Sequence, residues 1–135
     1  VNGNIQINGG SPVCVLKGSL YATGSITFNN TAKIDGCVFA GGNITFNGGG
    51  LDMQSNDEVC IYSENGNIYV NTAASTVRGI VYAPKGKVQV VGNNTTYIGS
   101  IIGNTVAGIP ANLTMLGPTE PFSFLETEEK VKLIR

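Results

Sequence analysis

Apolar residues in this chain recur at every second position, in short bursts, and the bursts themselves recur. Gly3-Asn4-Ile5-Gln6-Ile7, Gly24-Ser25-Ile26-Thr27-Phe28, Gly42-Asn43-Ile44-Thr45-Phe46, Gly66-Asn67-Ile68-Tyr69-Val70 and Gly86-Lys87-Val88-Gln89-Val90 share one template. Ile5, Ile26, Ile44, Ile68 and Val88 make one apolar column, and Ile7, Phe28, Phe46, Val70 and Val90 make another. Between them stand Gln6, Thr27, Thr45, Tyr69 and Gln89, mostly polar. A period of two predicts strands with one face inward. The bounding Gly and Asn residues accept the backbone angles that tight corners need.

A second register runs through the same chain. It reads Gly18-Ser19-Leu20-Tyr21-Ala22, Gly36-Cys37-Val38-Phe39-Ala40, Val59-Cys60-Ile61-Tyr62-Ser63, Gly79-Ile80-Val81-Tyr82-Ala83 and Gly99-Ser100-Ile101-Ile102-Gly103, with starts 18, 23, 20 and 20 residues apart. A weaker third column is Ile34, Leu51 or Met53, Val77, Ile98 and Met115. Three short strands and three corners in about 20 residues predict a single-stranded parallel β-helix, a β-solenoid of about five coils. A β-sandwich or barrel also uses short strands and Gly/Asn turns, but it does not explain stacked columns at near-constant spacing. Coils about 4.8 Å apart make a rod roughly 25–30 Å long with two open ends, each an edge on which other chains can pair.

The pattern holds over 1–118 and breaks over 119–135. Pro118 and Pro121 bracket the exit, and Glu126, Glu128, Glu129, Lys130, Lys132 and Arg135 concentrate charge beside Phe122, Phe124, Leu125, Val131, Leu133 and Ile134. This tail reads as a C-terminal cap or lateral brace, built as a short helix over 126–132 or as an added strand. It is also the expected cover for the Tyr21/Phe39/Tyr62/Tyr82 ladder if that ladder faces outward, since an uncovered aromatic column promotes aggregation.

Composition narrows the chemistry. Eight Lys+Arg against nine Asp+Glu leave a net charge of −1 in 135 residues, which argues against a nucleic-acid partner. No signal peptide is visible, and no apolar run is long enough to span a membrane. His is absent, which removes imidazole bases, His-bearing triads and His-ligated zinc. Asp35, Asp52, Asp57, Glu58 and Arg78 are the charged groups from which a carbohydrate-active site would be drawn, with Tyr69 as a stacking platform. A groove containing Asp35, Asp52 and Tyr69 would favour a carbohydrate-binding or carbohydrate-active β-helix. No pair among them has the spacing of an acid and a base, so the chain reads as a non-enzymatic module, and no cofactor or metal is expected. The Asn-x-Ser/Thr matches at Asn29, Asn43, Asn93, Asn94 and Asn112 follow from abundance, since Asn and Thr are both frequent.

The stretch Gly48, Gly49, Gly50 through Asn56, Asp57, Glu58, where the spacing widens to 23, is the expected contact loop. Cys37 and Cys60 occupy equivalent places in neighbouring coils, within disulfide reach if the coils stack in register. Cys14 paired with Cys37 is a second arrangement, and three buried free thiols a third.

Gly79-Ile80-Val81-Tyr82-Ala83-Pro84-Lys85-Gly86-Lys87-Val88-Gln89-Val90, followed by Tyr97-Ile98-Gly99-Ser100-Ile101-Ile102-Gly103-Asn104, resembles the β-helical domain at the C-terminal end of PilX-like, type IV pilus-associated bacterial surface proteins. It is similar, more distantly, to the polymer-forming bactofilins. The resemblance is clear over about 79–107 and diffuse over 18–78. It implies export, an extracellular location at the bacterial cell surface and an adhesive or structural role with a protein or glycan partner. It supplies no catalytic residues. The N-terminal helix of a pilus subunit does not occur in these residues, which implies a fragment or processed domain. Self-association through the coil ends, as a filament subunit, is the remaining expectation.

Overall fold

Apolar positions that alternate for only three to five residues between Gly and Asn can form only short strands before the chain must turn. The computed structural model describes residues 1–8, 13–108 and 112–117, with the backbone alone at 56–58. Every regular element among them is a strand: β1 (Ile5–Ile7), β2 (Val13–Lys17), β3 (Leu20–Ala22), β4 (Ile26–Phe28), β5 (Thr31–Asp35), β6 (Val38–Ala40), β7 (Ile44–Phe46), β8 (Leu51–Ser63), β9 (Ile68–Val70), β10 (Thr76–Val90), β11 (Thr96–Ala107) and β12 (Thr114–Leu116). Every pairing is parallel, and partners lie one coil apart. The molecule is a parallel β-solenoid of about five turns.

Three faces run the length of the rod. The first stacks β1, β4, β7, β9, the end of β10 and the end of β11. The second stacks β2, β5, the start of β8, the starts of β10 and β11, and then β12. The third stacks β3, β6, 61–63 of β8, 81–83 of β10 and 101–103 of β11. Strands β8, β10 and β11 carry their ladders around corners, which is why they are long.

The core is the set of inward columns. Ile26, Ile44, Ile68 and Val88 are buried in register, as are Phe28, Phe46, Val70 and Val90. The Phe28 and Phe46 rings stack with centroids 4.9 Å apart and planes 12° from parallel. Each such side chain contributes about 1.5–3 kcal/mol by leaving water. On the second face the inward column is Leu16, Ile34, Met53, Val77 and Tyr97, ending at Met115. The expectation had Ile98 in that column. Val77 pairs with Tyr97 and outward Arg78 pairs with Ile98, so Ile98 faces out and Tyr97 is buried.

The corners explain the Asn and Gly content. Between the first and second faces an asparagine ladder climbs four coils: Asn29 Nδ2 donates to Asn8 Oδ1 at 2.6 Å, Asn47 to Asn29 at 3.2 Å, and Asn71 to Asn47 at 3.1 Å. Between the third and first faces a side-chain oxygen takes the backbone N–H of the coil above. Asn4 Oδ1 accepts from Ser25, Ser25 Oγ from Asn43, Asn43 Oδ1 from Asn67 and Asn67 Oδ1 from Lys87, at 2.8–3.0 Å. Between the second and third faces the coils close on glycine. Gly36 has φ 150°, and a Cβ there would lie 2.1 Å from the Gly18 carbonyl oxygen, so no larger residue fits. The described strands end at Leu116, and the expected cap, 119–135, lies outside the described residues.

Candidate functional site

Alternation sends one set of side chains inward and leaves the other to carry any contact with a partner. The outward column of the third face is Tyr21, Phe39, Tyr62, Tyr82 and Ile102, in register through five coils. Tyr21 is 56% exposed and Ile102 38%, while Phe39, Tyr62 and Tyr82 are half-buried against one another. Phe39 and Tyr62 meet edge to face with centroids 6.2 Å apart, and Tyr62 and Tyr82 are tilted at 5.6 Å. The packing arises because the strand is three residues long, so each coil offers one outward side chain and the next coil places its own directly above. The result is a continuous apolar strip that stacks on flat apolar groups, with Tyr hydroxyls to supply hydrogen bonds.

The outward side of the second face is charged. Lys17 lies level with Asp35, Asp35 with Gln54, and Gln54 with Arg78; beside them Lys33 lies level with Asp52. Asp52 Oδ1 accepts from Gln54 Nε2 at 3.0 Å. Asp35 and Asp52 are therefore offset by one coil and two residues, and each has a lysine as its register neighbour. This arrangement balances charge; it does not juxtapose an acid with a base. Tyr69 stands on the first face, where its hydroxyl accepts from Asn67 Nδ2 at 3.0 Å and Lys87 Nζ lies 5.9 Å from its ring centroid. Asp35 and Asp52 thus lie on the second face and Tyr69 on the first, so the groove that would favour a carbohydrate-active flank is not formed by these three.

The expected contact loop divides in two. Gly48, Gly49 and Gly50 form the corner entering the second face, and Asn56, Asp57 and Glu58 lie in the extra residues at the next corner, beyond the buried Leu51 and Met53. Gly50 is buried, and a Cβ on Gly48 would lie 2.0 Å from the Asn30 carbonyl oxygen, so this corner is folded onto its neighbour and does not project. The extra residues replace the single glycine that closes the same corner elsewhere. They are the real insertion, four residues longer than the corner at Gly36 by the pairings of Asp35 with Gln54 and Val38 with Ile61.

None of the three cysteines takes part in a disulfide. Cys14 lies on the second face opposite Ala32, away from the start of the third face where Cys37 stands, so a Cys14–Cys37 bridge does not match the topology. Cys37 and Cys60 do fall at equivalent places, but no bridge joins them. Cys37 Sγ lies 3.4 Å from Ser55 Oγ, and Cys60 Sγ donates to the Ile80 carbonyl at 3.4 Å, so each sulfur has a partner in the coil above. Burial first, then the proximity of Cys37, pushes the Cys60 thiol up to about 12, which keeps it protonated and unreactive. Tyr97, unforeseen in the core, is raised too, by burial first and then by Cys60; among the described residues its hydroxyl has no hydrogen-bond partner. Its place was readable from the spacing of 20 that separates it from Val77.

Among the described residues no group of three or more His, Cys, Asp or Glu gathers to hold a metal, and no helix is long and apolar enough to cross a membrane. No family model, curated protein or solved structure matches the chain.

Proposed function

We propose that this chain is a non-enzymatic structural and adhesive module, exported to the bacterial cell surface, whose contact face is the aromatic strip Tyr21–Phe39–Tyr62–Tyr82. The observation that carries the reading is the strip itself. It is an outward, partly exposed column of rings on a frame whose corners are held by repeated side-chain hydrogen bonds. A rigid array loses little conformational entropy on binding, and aromatic rings supply large contact area for few rotatable bonds. The sequence resemblance to pilus-associated surface domains supports the location and the role. The partner is a surface glycan or protein with flat apolar groups.

The test is binding of the purified chain to a glycan array and to intact bacterial cells, beside a Tyr21→Ala/Tyr62→Ala/Tyr82→Ala variant. Binding weakened at least tenfold, with unfolding still cooperative, supports the strip as the contact face. Equal binding by the variant, or release of reducing sugar from a bound polysaccharide, overturns the proposal. A filament subunit is the second reading, favoured by the unpaired strand edges that a parallel solenoid leaves at its ends.

A further inference from the structure

The five tyrosines of the chain have different neighbours. Tyr97 is buried in the inward column of the second face, between Val77 and Met115. Tyr69 stands on the first face between Thr45 and Gln89. Tyr21 is exposed, and its register partner is Phe39, which has no hydroxyl. Tyr62 and Tyr82 are register partners of each other. Their ring centroids lie 5.6 Å apart with planes inclined at 39°, the one ring contact between two phenols among the described residues. Both rings face outward and are only half-buried. Tyr82 also has room to adjust, because the coil above places Ile102 over it and not another ring.

The backbone gives this pair a particular place. In the ladder between β8 and β10 the register shifts between Arg78 and Ile80 and again between Ile80 and Val81. Arg78 pairs with Gln54 and Ile80 with Val59, so two steps along β10 oppose five along β8, and the excess is the inserted corner. Regular pairing resumes at Val81 with Ile61 and Tyr82 with Tyr62. The seam between these two coils therefore lacks part of its backbone ladder just before the two phenols meet.

We propose that Tyr62 and Tyr82 are a site of oxidative cross-linking, where a haem peroxidase with hydrogen peroxide joins the two phenols into a dityrosine that staples β8 to β10 beside the inserted corner. Each phenol gives up one electron and its hydroxyl proton. The radical left behind carries spin on the ring carbons next to the one that bears the oxygen. One such carbon from each ring joins in a new carbon–carbon bond, and the hydrogens displaced from those carbons return to the oxygens as the rings regain aromaticity. The protein loses two hydrogens in all; one hydrogen peroxide accepts the two electrons and two protons and leaves as two waters. Register holds the partners at an effective concentration of roughly millimolar or higher, so coupling within one molecule outruns coupling between molecules at micromolar protein. The bond closes a loop in the unfolded chain and so favours the folded state, as a disulfide does. Tyr21 and Tyr69 have no phenol beside them to couple with.

Treatment of the purified chain with a haem peroxidase and hydrogen peroxide, beside Tyr82→Phe and Tyr21→Phe variants, tests the idea. Phenylalanine keeps the ring in the strip, so the outcome does not depend on whether the strip is a contact face, and cooperative melting before treatment shows that each variant is folded. The expected product is a monomer lighter by two hydrogens, with dityrosine fluorescence and a cross-link that peptide mapping assigns to Tyr62 and Tyr82. Tyr21→Phe should give the same product and Tyr82→Phe none. Amide exchange over Val81–Ala83 should slow by about tenfold or more in the cross-linked chain. A monomer of unchanged mass, covalent dimers as the main product, a cross-link that survives in Tyr82→Phe, or unchanged exchange over Val81–Ala83 overturns the proposal.

Discussion

Cys60 and Tyr97 carry their acidic protons in the interior of the rod, and both are held in the neutral form by burial. An unfolded chain ionises its cysteine near 9.0, whereas folded Cys60 keeps its proton to about 12. Between those values the unfolded state binds fewer protons than the folded one, so the stabilisation is complete below pH 9 and is lost as pH rises toward 12. Tyr97 acts in the same direction, beginning near its ordinary value of 10.0. The melting temperature should therefore fall from pH 9 upward, and more gently in a Cys60→Ala variant. Parallel pH profiles for the two proteins would refute the assignment of that slope to Cys60. Cys37 and Cys60 were visible in the sequence as equivalent positions. The direction of each sulfur was not, because it depends on which oxygen the coil above presents.

At the scale of the element, the corners rather than the strands distinguish this solenoid. Each strand is only three to five residues long over much of the rod, too short to hold its register alone, and register slips are resisted by the ladders at its ends. Asn47 sits in the middle of the asparagine ladder, donating to Asn29 and accepting from Asn71. Asn47→Ala removes both bonds and should cost about 1–2 kcal/mol. Gln89→Ala, on the outward column of the first face, should cost under about 0.5 kcal/mol. Urea denaturation of the two variants checks this, and equal midpoints would mean that the ladder contributes nothing. The Gly-Asn pairs in the repeat predicted corners. That Asn8, Asn29, Asn47 and Asn71 hydrogen-bond to one another emerged only when the coils were stacked, since the partners lie 18–24 residues apart.

At the scale of the molecule, each coil touches only the coils directly above and below, so stability is a sum of layer and interface terms. Layers at the middle have two neighbours and those at the ends have one. Amide protection should therefore peak in β7, β9 and the middle of β10 and decline toward β1, with the N-terminal layers opening below the free energy of global unfolding. Phe46→Ala, in the centre, should lower global stability by about 3–5 kcal/mol. Ile7→Ala should instead speed exchange mainly in β1 and β4. Native-state hydrogen exchange at increasing denaturant measures both, and uniform protection along the rod would contradict a layer-by-layer molecule.

The alternation of Ile44, Thr45 and Phe46, repeated one coil away at Ile68, Tyr69 and Val70, was sufficient to reach the parallel solenoid. Each layer needs the same inward pair at the same place, so the period of the pattern is the period of the structure. The column of Tyr21, Phe39, Tyr62 and Tyr82 was legible for the same reason, whereas its outward direction was decided by the stacked coils. Tertiary structure alone decided where Gly48–Gly50 and Asn56–Glu58 go, setting them at different corners. It also decided that Cys37 and Cys60 remain apart as thiols. These outcomes depend on how closely one coil's backbone seats on the next and which polar group there needs a partner. That fit is a property of two layers together, and the local pattern describes one layer at a time.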